Sequence, residues 1–210
     1  MKVHFLTSPG TWFLPHIENL LRSCRDSGIE AACFEDHRNL PQGDLLFILS
    51  YYRLLPAECI SRHRNNVVIH ASDLPRGKGC SPLAWQILEG SNDIVFTLFE
   101  AVAEVDAGPV YLRDTLHLEG NELYAEWRRA AGLLIEKMTL SFLAAYPNVH
   151  ATPQEGESSF FPKRTREDDR IDLHRPLAEL FDHLRICDAD NFPAWFEFRG
   201  RKFKIGLEPL

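Results

Sequence analysis

The sequence lacks an excess of positive charge and has no long apolar run. Its 23 Lys and Arg residues are outnumbered by 30 Asp and Glu residues, so the formal charge is -7. A protein that wraps RNA or DNA needs Lys and Arg to replace condensed counterions, so we expect no nucleic-acid partner. No run approaches the roughly 18 apolar residues that span a bilayer, and residues 7–11 interrupt the apolar start of the chain. We therefore expect neither a membrane segment nor a signal peptide.

The five cysteines show no arrangement that indicates disulfides. They are odd in number and scattered without a C-x-x-C pair: Cys24, Cys33, Cys59, Cys80 and Cys187. Such thiols are typical of proteins in a reducing compartment. Together with the missing membrane and signal segments, they predict a soluble cytoplasmic protein.

Several motifs of catalytic sites are also absent. There is no P-loop, H-E-x-x-H or G-x-S-x-G motif, and the histidines show no clustered ligand spacing, so we expect no metal. The G-x-G-x-x-P pattern at 77–82 lacks the third glycine of a dinucleotide-binding turn. The loop before it is also too long for such a turn, so this pattern is a weak signal.

What is present is the composition of one α/β domain. The chain of 210 residues is 45% apolar and 25% charged, which is typical of a globular domain with a sizeable core. A helical pattern at 14–24 is accompanied by apolar, β-prone runs at 3–6, 29–34, 44–49 and 66–70. Near-continuous apolar strands that alternate with helices predict an open, Rossmann-like, mostly parallel twisted sheet with flanking helices.

The second half predicts another succession of elements. Two strands at 93–100 and 110–118 precede a long helix from 122 to about 145. The polar segment 152–170 indicates a linker or an arm over the surface, Pro176 begins a short helix, and a β-hairpin closes the chain at 194–205. We therefore divide the chain into an α/β unit at 1–150 and an arm, short helix and hairpin at 151–210, packed on the same unit.

Three segments follow predicted strands and lie where open α/β sheets bind ligands: residues 8–12, 50–56 and 70–82. His70 ends a buried strand, where an imidazole can act as an acid or base near neutral pH. A hydrogen-bonded structural histidine is the alternative. Asp106 lies in a later glycine-containing loop, where an aspartate by itself is usually just a turn residue.

The loop after His70 has features of its own. Gly77, Lys78 and Gly79 form a candidate cradle for an anion, although both glycines could simply be turn residues. Ser81 followed by Pro82 predicts the N-cap and first turn of a helix.

The order of these motifs resembles the folate-dependent formyltransferases, the family of methionyl-tRNA, glycinamide-ribonucleotide and nucleotide-sugar formyltransferases. The family signature begins with N-x-H-x-S-x-L-P-x-x-x-G, which corresponds to HASDLPRGKG at 70–79. The apolar helix that follows in the family corresponds to SPLAWQILEG at 81–90. The V-D-x-G loop of the family corresponds to EVDAG at 104–108. YRLLP at 52–56 stands where the family has Y-x-x-I-L-P. The tail at 190–205 is similar to the ending of the nucleotide-sugar branch. The resemblance covers nearly the whole chain.

The resemblance implies formyl transfer from 10-formyltetrahydrofolate to an amine, without a metal. It implies a catalytic set of His70, Asp106 and Ser72. It implies a folate site made of Tyr52, Leu54, Leu55, Pro56, Val102, Ala103 and Glu104. The nucleotide-sugar side is assigned to Ser8, Gly10, Thr11, Lys78, Gly79 and Trp195. Burial in the hairpin core or in a dimer interface is the alternative for Trp195.

The branch within the family is suggested by residues 77–83 and 98–101. They are most similar to formyltransferases of pseudaminic-acid-type pathways, which act on a UDP-linked 4-amino-4,6-dideoxy sugar. The expected partner is thus a nucleotide-linked amino sugar, and the family implies a homodimer. We also expect the length to leave no room for the tRNA-binding barrel of methionyl-tRNA formyltransferases. Three alternatives stay open: glycinamide-ribonucleotide formylation, formyltetrahydrofolate hydrolysis, and non-catalytic binding of folate or nucleotide sugar.

One departure from the family pattern concerns the reacting centre. The asparagine two residues before the catalytic histidine, which donates to the formyl oxygen, is replaced by Val68. An oxyanion at the formyl carbon needs a donor, and losing one typically costs about 2.7–4 kcal/mol. We expect His70 with a backbone N–H, or Ser72, to supply the donor. Reduced activity or a decayed site is the competing interpretation.

Overall fold

The computed structural model describes residues 1–210 and contains ten strands, five α-helices and two short 3-10 turns. The strands are β1 (Lys2–Leu6), β2 (Glu30–Phe34), β3 (Gly43–Ile48), β4 (His63–His70), β5 (Lys78–Gly79), β6 (Asp93–Glu100), β7 (Val110–His117), β8 (Phe160–Phe161), β9 (Ala194–Phe198) and β10 (Arg201–Ile205). The α-helices are α1 (Leu14–Asp26), α2 (Ala57–Ile60), α3 (Pro82–Leu88), α4 (Tyr124–Ala145) and α5 (Leu177–Arg185). The 3-10 turns are His37–Asn39 and Arg166–Asp169.

Six strands form one sheet in the order β2-β1-β3-β4-β6-β7. Strands β1 to β4 pair in parallel, and β6 is antiparallel to both of its neighbours, so β7 runs in the direction of β1 to β4. The predicted open, mostly parallel α/β sheet is confirmed. Strand β6 is the exception, because it runs antiparallel to β4. The connection after β6 therefore begins beside residues 66 and 67 of β4.

One face of the sheet carries the main core. Side chains alternate between the two faces of a strand, and the alternate residues Val3, Phe5 and Phe47 point to this face. Helices α1 and α4 cover it, because each presents an apolar stripe at helical spacing. Each fully buried large apolar side chain contributes about 1.5–3 kcal/mol, so this face supplies most of the hydrophobic stabilisation.

The opposite face is covered by loops and carries smaller clusters. One cluster surrounds Ile48 and another surrounds Phe99, and Val68 packs against both. His70 lies two residues after Val68 on the same strand, so its side chain projects from this loop-covered face as well. The residues with candidate chemistry therefore lie away from the helix-covered core.

The C-terminal elements pack on the same core. Leu180 of α5 and Ala194 of the hairpin belong to the main cluster, and Trp127 Nε1 of α4 donates to the carbonyl of Arg185 at 3.0 Å. The buried Arg185 side chain is neutralised by Asp182, whose Oδ1 lies 2.7 Å from its Nε. The predicted helix and hairpin are present as elements, and the domain boundary at 150 stays a prediction.

One local expectation needs correction. Ser81 does not cap α3 with its side chain, because its backbone is left-handed (φ 53°) where the chain turns from β5 into the helix. For residues 152–170, which were predicted to be a linker or an arm, the structure shows the arm. They contain β8, which pairs in parallel with β5, and the turn Arg166–Asp169, so they lie as an arm along the 70–79 loop.

None of the five α-helices combines the length and apolar character that a bilayer span requires.

A buried histidine pair lies at the amino-terminal part of the sheet. His4 Nδ1 and His63 Nε2 are 2.7 Å apart, and both residues are buried next to Gly43, where a Cβ would come within 2.8 Å of His4. Burial, and then the charge of His4, lower the pKa of His63 to about 4, and burial lowers the pKa of His4. One hydrogen shared between two neutral rings satisfies this contact, so protonation of both rings would break it.

We predict that this pair makes the protein less stable as the pH falls from about 7 to about 5. The unfolded chain binds protons near the ordinary histidine pKa while the folded pair stays neutral, so the free energy of unfolding decreases by up to about 1.4 kcal/mol per pH unit for each histidine. In urea unfolding, the stability difference between wild type and His63→Gln should shrink over this range. The exposed His174→Gln is the control, and its difference from wild type should stay constant. An unchanged difference for His63→Gln would contradict the prediction.

Candidate functional site

Two connections meet over the loop-covered face, beside the end of β4. His70 is the last residue of β4, and the chain after it folds over this face. The connection 101–109 joins β6 to β7, and it begins where the Ala101 N–H donates to the carbonyl of Asn66. It then crosses toward His70 and brings Asp106 Oδ2 to 3.9 Å from His70 Nε2. The two predicted catalytic residues, distant in sequence, are thus neighbours.

His70 is held in one orientation by the loop that follows it. Its Nε2 is 2.9 Å from the carbonyl oxygen of Gly77. A carbonyl can only accept, so Nε2 carries the hydrogen, and neutral His70 presents a lone pair at Nδ1. The side chains of His70 and Asp106 are only 11% and 12% exposed. Solvent and salt therefore screen the interaction between them only weakly.

Asp106 joins the two connections. Its Oδ2 accepts a hydrogen bond from the backbone N–H of Gly79 at 2.9 Å, and its own backbone is left-handed (φ 53°), a conformation that aspartate tolerates. Gly108 is required two residues later, because a Cβ there would lie 1.7 Å from the carbonyl oxygen of Glu100. The connection 101–109 therefore has little freedom to move Asp106 relative to Gly79.

The arm at 152–161 fixes both connections from outside. Gln154 Nε2 donates to the carbonyl oxygens of Asp106 at 2.9 Å and Gly108 at 2.8 Å. Ser159 Oγ accepts from the N–H of Gly77 at 2.9 Å. Phe161 of β8 pairs with Gly79, where a Cβ would meet the Phe161 carbonyl oxygen at 2.5 Å. Sequence reasoning missed Gln154 and Ser159, because their segment shows only polar composition.

Glu100 anchors the start of the connection 101–109, and it was also missed. Its carboxylate accepts from the N–H of Asn66 at 2.6 Å and from the hydroxyl of Tyr111 at 2.7 Å. Burial, and then the Glu100 carboxylate, raise the pKa of Tyr111 well above its usual value, so the phenol stays a donor. No local motif marks Glu100, whose role depends on the pairing of β6 with β4 and β7.

Ser72 and Val68 limit which groups near His70 can donate a hydrogen bond. Ser72 is 2% exposed, and its Oγ is buried without a hydrogen-bond partner, beside the position where a Gly77 Cβ would lie. Val68 packs on the same apolar cluster as Leu55 and Ala101. In this conformation the Ser72 hydroxyl is shielded from solvent, and Val68 extends an apolar surface toward His70.

The residues predicted to hold folate lie at two exposed edges of this surface. Leu55 packs on the cluster around Ile48, whereas Tyr52 and Leu54 are 71% and 77% exposed. Val102 is 40% exposed at the start of the connection 101–109. The remaining predicted positions are half-buried at Pro56 and exposed at Ala103 and Glu104. The segments 52–56 and 102–104 lie near each other, because Leu55 and the neighbouring Ala101 both pack on the cluster around Ile48.

The predicted substrate residues of the first loop lie at the ends of β1 and β3. Ser8 Oγ accepts from the N–H of Tyr52 at 2.9 Å, and Thr11 Oγ1 is 2.7 Å from Ser50 Oγ. Gly10 has a left-handed backbone (φ 64°), and no atom lies within 4 Å of the place where its Cβ would be. This loop is therefore tied to the loop after β3 and is open on its outer side.

Two other predicted substrate residues are less accessible. Lys78 is buried under the ring of Phe160, with its Nζ 3.9 Å from Glu104 Oε1. Trp195 is 5% exposed, and its Nε1 donates to the carbonyl of Arg166 at 2.8 Å. The Arg170 and Lys202 cations lie over its ring, which favours the burial alternative, and the assignment of Trp195 to the nucleotide-sugar side stays a prediction.

No three His, Cys, Asp or Glu side chains converge as metal ligands do.

Comparison with known protein families gives one family for this chain. The model of the formyl transferase family matches residues 21–127. The chain is 33% identical to the methionyl-tRNA formyltransferase of Thermobifida fusca over 174 residues, which are 78% of this chain and 54% of that protein. The chain therefore spans about half the length of the curated relatives it matches.

Solved structures share the fold at low sequence identity. A methionyl-tRNA formyltransferase from Clostridium thermocellum superposes with a TM-score of 0.85 at 19% identity, over 100% of this chain and 93% of that one. HypX from Aquifex aeolicus in complex with tetrahydrofolic acid gives 0.81 at 20% identity, over 99% and 37%. A sugar N-formyltransferase from a Shewanella species gives 0.73 at 14% identity, over 99% and 97%.

We predict that Gln154→Leu loosens the Asp106–Gly79 contact. Two carbonyl oxygens lose their donor, which costs about 1–3 kcal/mol of stability when a buried acceptor is left unpaired. The free energy of unfolding should fall by that amount, and hydrogen exchange at the Gly79 amide should become faster. Gln42→Leu, at an exposed glutamine, is the matched control and should change neither quantity. An unchanged Gly79 exchange rate in Gln154→Leu would show that the arm does not hold this contact.

Proposed function

The chain belongs to the formyl transferase family, and on that premise we propose that it transfers a formyl group from 10-formyltetrahydrofolate to an amine. The observation that carries the proposal is the meeting of His70 and Asp106 at the end of β4, inside loops that three further side chains hold in place. An imidazole and a carboxylate at this distance can move one proton between a nucleophile and a leaving group.

The reaction needs one proton to move and one oxyanion to be stabilised. The amine nitrogen bonds to the formyl carbon, and the bond from that carbon to the folate nitrogen breaks. Asp106 and the Nδ1 lone pair of His70 are the groups that can accept the proton of the attacking amine. The same proton then returns to the folate nitrogen, so the products are a formamide and tetrahydrofolate.

His70 is the better replacement for the missing asparagine donor. When His70 is protonated, both ring nitrogens donate, and Nδ1 can hydrogen-bond the developing oxyanion while Nε2 keeps its contact with Gly77. Ser72 could donate only after the loop around Gly77 opens, because its hydroxyl is shielded. We therefore assign the donor role to His70 and treat Ser72 as a secondary candidate.

The apolar surface around Val68 fits the pteridine end of a folate. Leu55 and Ala101 border it, and the exposed Leu54 and Val102 can close over a flat ring. Backbone groups of the connection 101–104 offer hydrogen bonds at its edge. HypX, which shares the fold, was solved in complex with tetrahydrofolic acid, and this supports a folate as a ligand of the present chain.

We propose a nucleotide-linked amino sugar, with UDP as its nucleotide, as the amine substrate. Support comes from the shared fold of a sugar N-formyltransferase and from the sequence of residues 77–83, which is similar to that of the nucleotide-sugar branch. The curated relatives are methionyl-tRNA formyltransferases, so a tRNA-linked amine is the competitor that the comparisons add. A pseudaminic-acid-type pathway, a homodimer and a cytoplasmic location remain part of the proposal.

We predict that His70→Asn and Asp106→Asn each lower kcat by about 100- to 10,000-fold, the usual contribution of a general acid or base. Asp106→Asn keeps the size of the side chain and His70→Asn replaces the ring by a smaller polar group, so the melting temperature is recorded for both and should show that each variant is folded. Formamide formation from 10-formyltetrahydrofolate and amine, followed by mass spectrometry, measures the loss. Asp93→Asn, at an exposed carboxylate of β6, is the control and should retain full activity. Full activity of either site variant would remove that residue from the mechanism.

We predict that Val68→Asn does not raise turnover. His70 already supplies the donor, and an amide among the side chains that contact Val68 costs about 1–3 kcal/mol of stability. Val68→Ala is the control that changes packing without adding a donor. A gain of about 100-fold in kcat for Val68→Asn alone would mean instead that the oxyanion is short of a donor.

A further inference from the structure

A second cleft lies at the carboxyl ends of β1 and β3, beside the loops that carry Gly10 and Tyr52. It has a volume of about 760 Å³ and does not include His70 or Asp106 among its lining residues. The chain leaves β1 toward β2 on one side and returns as β3 on the other, so the connections diverge here. Open α/β sheets bind ligands at such crevices.

Arg128 of α4 is the central cation of this cleft. Its guanidinium carbon lies 4.3 Å from the ring centre of Tyr124 and 5.1 Å from that of Trp12. The structure contains no hydrogen bond or ion pair for this side chain, although it is half-buried. The N–H donors of a guanidinium lie in its own plane. Contact of its face with aromatic rings therefore leaves these donors free for a ligand.

The electrostatics of Arg128 indicate an anion as that ligand. Burial lowers the pKa of Arg128, and the opposing effects of Tyr124, Tyr52 and Asp188 offset this only in part, since no carboxylate lies within ion-pair distance. The one acidic side chain that lines the cleft is Asp188, which already accepts hydrogen bonds from the N–H groups of Asp190 and Asn191. Arg129 adds a second cation at the rim.

The neighbouring loop supplies neutral donors. The hydroxyls of Thr11, Ser50 and Tyr52 lie within 3.4 Å of one another, so at least one hydroxyl hydrogen can be directed into the cleft. The open space beside Gly10 lets a ligand approach the backbone closely. Planar guanidinium donors with adjacent hydroxyls are the chemistry that binds phosphate oxygens.

We propose that this cleft binds the diphosphate of a nucleoside-diphosphate substrate and that Arg128 is its principal contact. The inference rests on the proposed function for the identity of the substrate. Strands lie about 4.8 Å apart, so the end of β1 is about 10 Å from the end of β4, where His70 lies. The cleft and His70 therefore lie at the same edge of the sheet, where the two ends of one nucleotide-linked sugar could be held.

Calorimetric titration of the full chain with UDP, and separately with inorganic pyrophosphate, tests the proposal. Wild type should bind both, and Arg128→Gln should weaken binding about 10- to 100-fold, the value of one or two charge-assisted hydrogen bonds. Arg128→Lys keeps the charge but loses the planar donor pair, so it should also bind more weakly. Arg25→Gln, at an exposed arginine of α1, is the matched control and should bind as wild type does.

Failure of this inference is distinguishable from failure of the proposed function. Absence of UDP and pyrophosphate binding in wild type, or equal binding by folded Arg128→Lys, would overturn the role of the cleft. Formyl transfer to a nucleotide sugar with an unchanged KM in the Arg128 variants would do the same while leaving the function intact. UDP binding that depends on Arg128, in a protein that transfers no formyl group, would support the cleft and contradict the function.

Discussion

The hydrogen bond from the Gly79 amide to the Asp106 carboxylate holds the site together. It joins the loop after β4 to the connection between β6 and β7, and at 2.9 Å it is closer than the Lys78–Glu104 ion pair at 3.9 Å that also links them. Asp106 can make this contact only because its backbone is left-handed and because Gly108 allows the chain to pass the Glu100 carbonyl. The backbone conformation of the connection 101–109 thus determines where Asp106 lies, and its side chain then contacts Gly79 and His70.

This contact requires support from parts of the chain that take no part in chemistry. The antiparallel β6 directs the connection 101–109 back across the face that carries Val68 and His70, and Gln154 holds that connection from outside. The helix-covered core supplies most of the hydrophobic stabilisation, while the loop-covered face carries only the smaller clusters around Ile48 and Phe99. Binding and chemistry then occupy adjacent strand ends: the cleft of Arg128 lies at β1 and β3, and His70 at β4.

Much of the fold could be predicted from the sequence, because it depends on local patterns. Continuous apolar runs marked β3 and β4, and helical spacing marked α1 and α4 to within a few residues. His70 was singled out by its place at the end of a buried strand, but its pairing with Asp106 came only from the family resemblance, since nothing in the local spacing brings residues 36 positions apart together. Gln154, Glu100 and Arg128 could not be found in this way. Their roles arise from long-range packing, which polar composition and single cations do not reveal.

The most direct test of the account is a single-turnover experiment with 10-formyltetrahydrofolate and a panel of acceptors, read by mass spectrometry. The panel contains UDP- and dTDP-linked 4-amino sugars, glycinamide ribonucleotide, methionyl-tRNA and water alone. A nucleotide-linked amino sugar should gain the mass of one formyl group, and this gain should be lost in His70→Asn. Formylation of methionyl-tRNA or glycinamide ribonucleotide in preference to every amino sugar, or folate turnover without an amine, would contradict it.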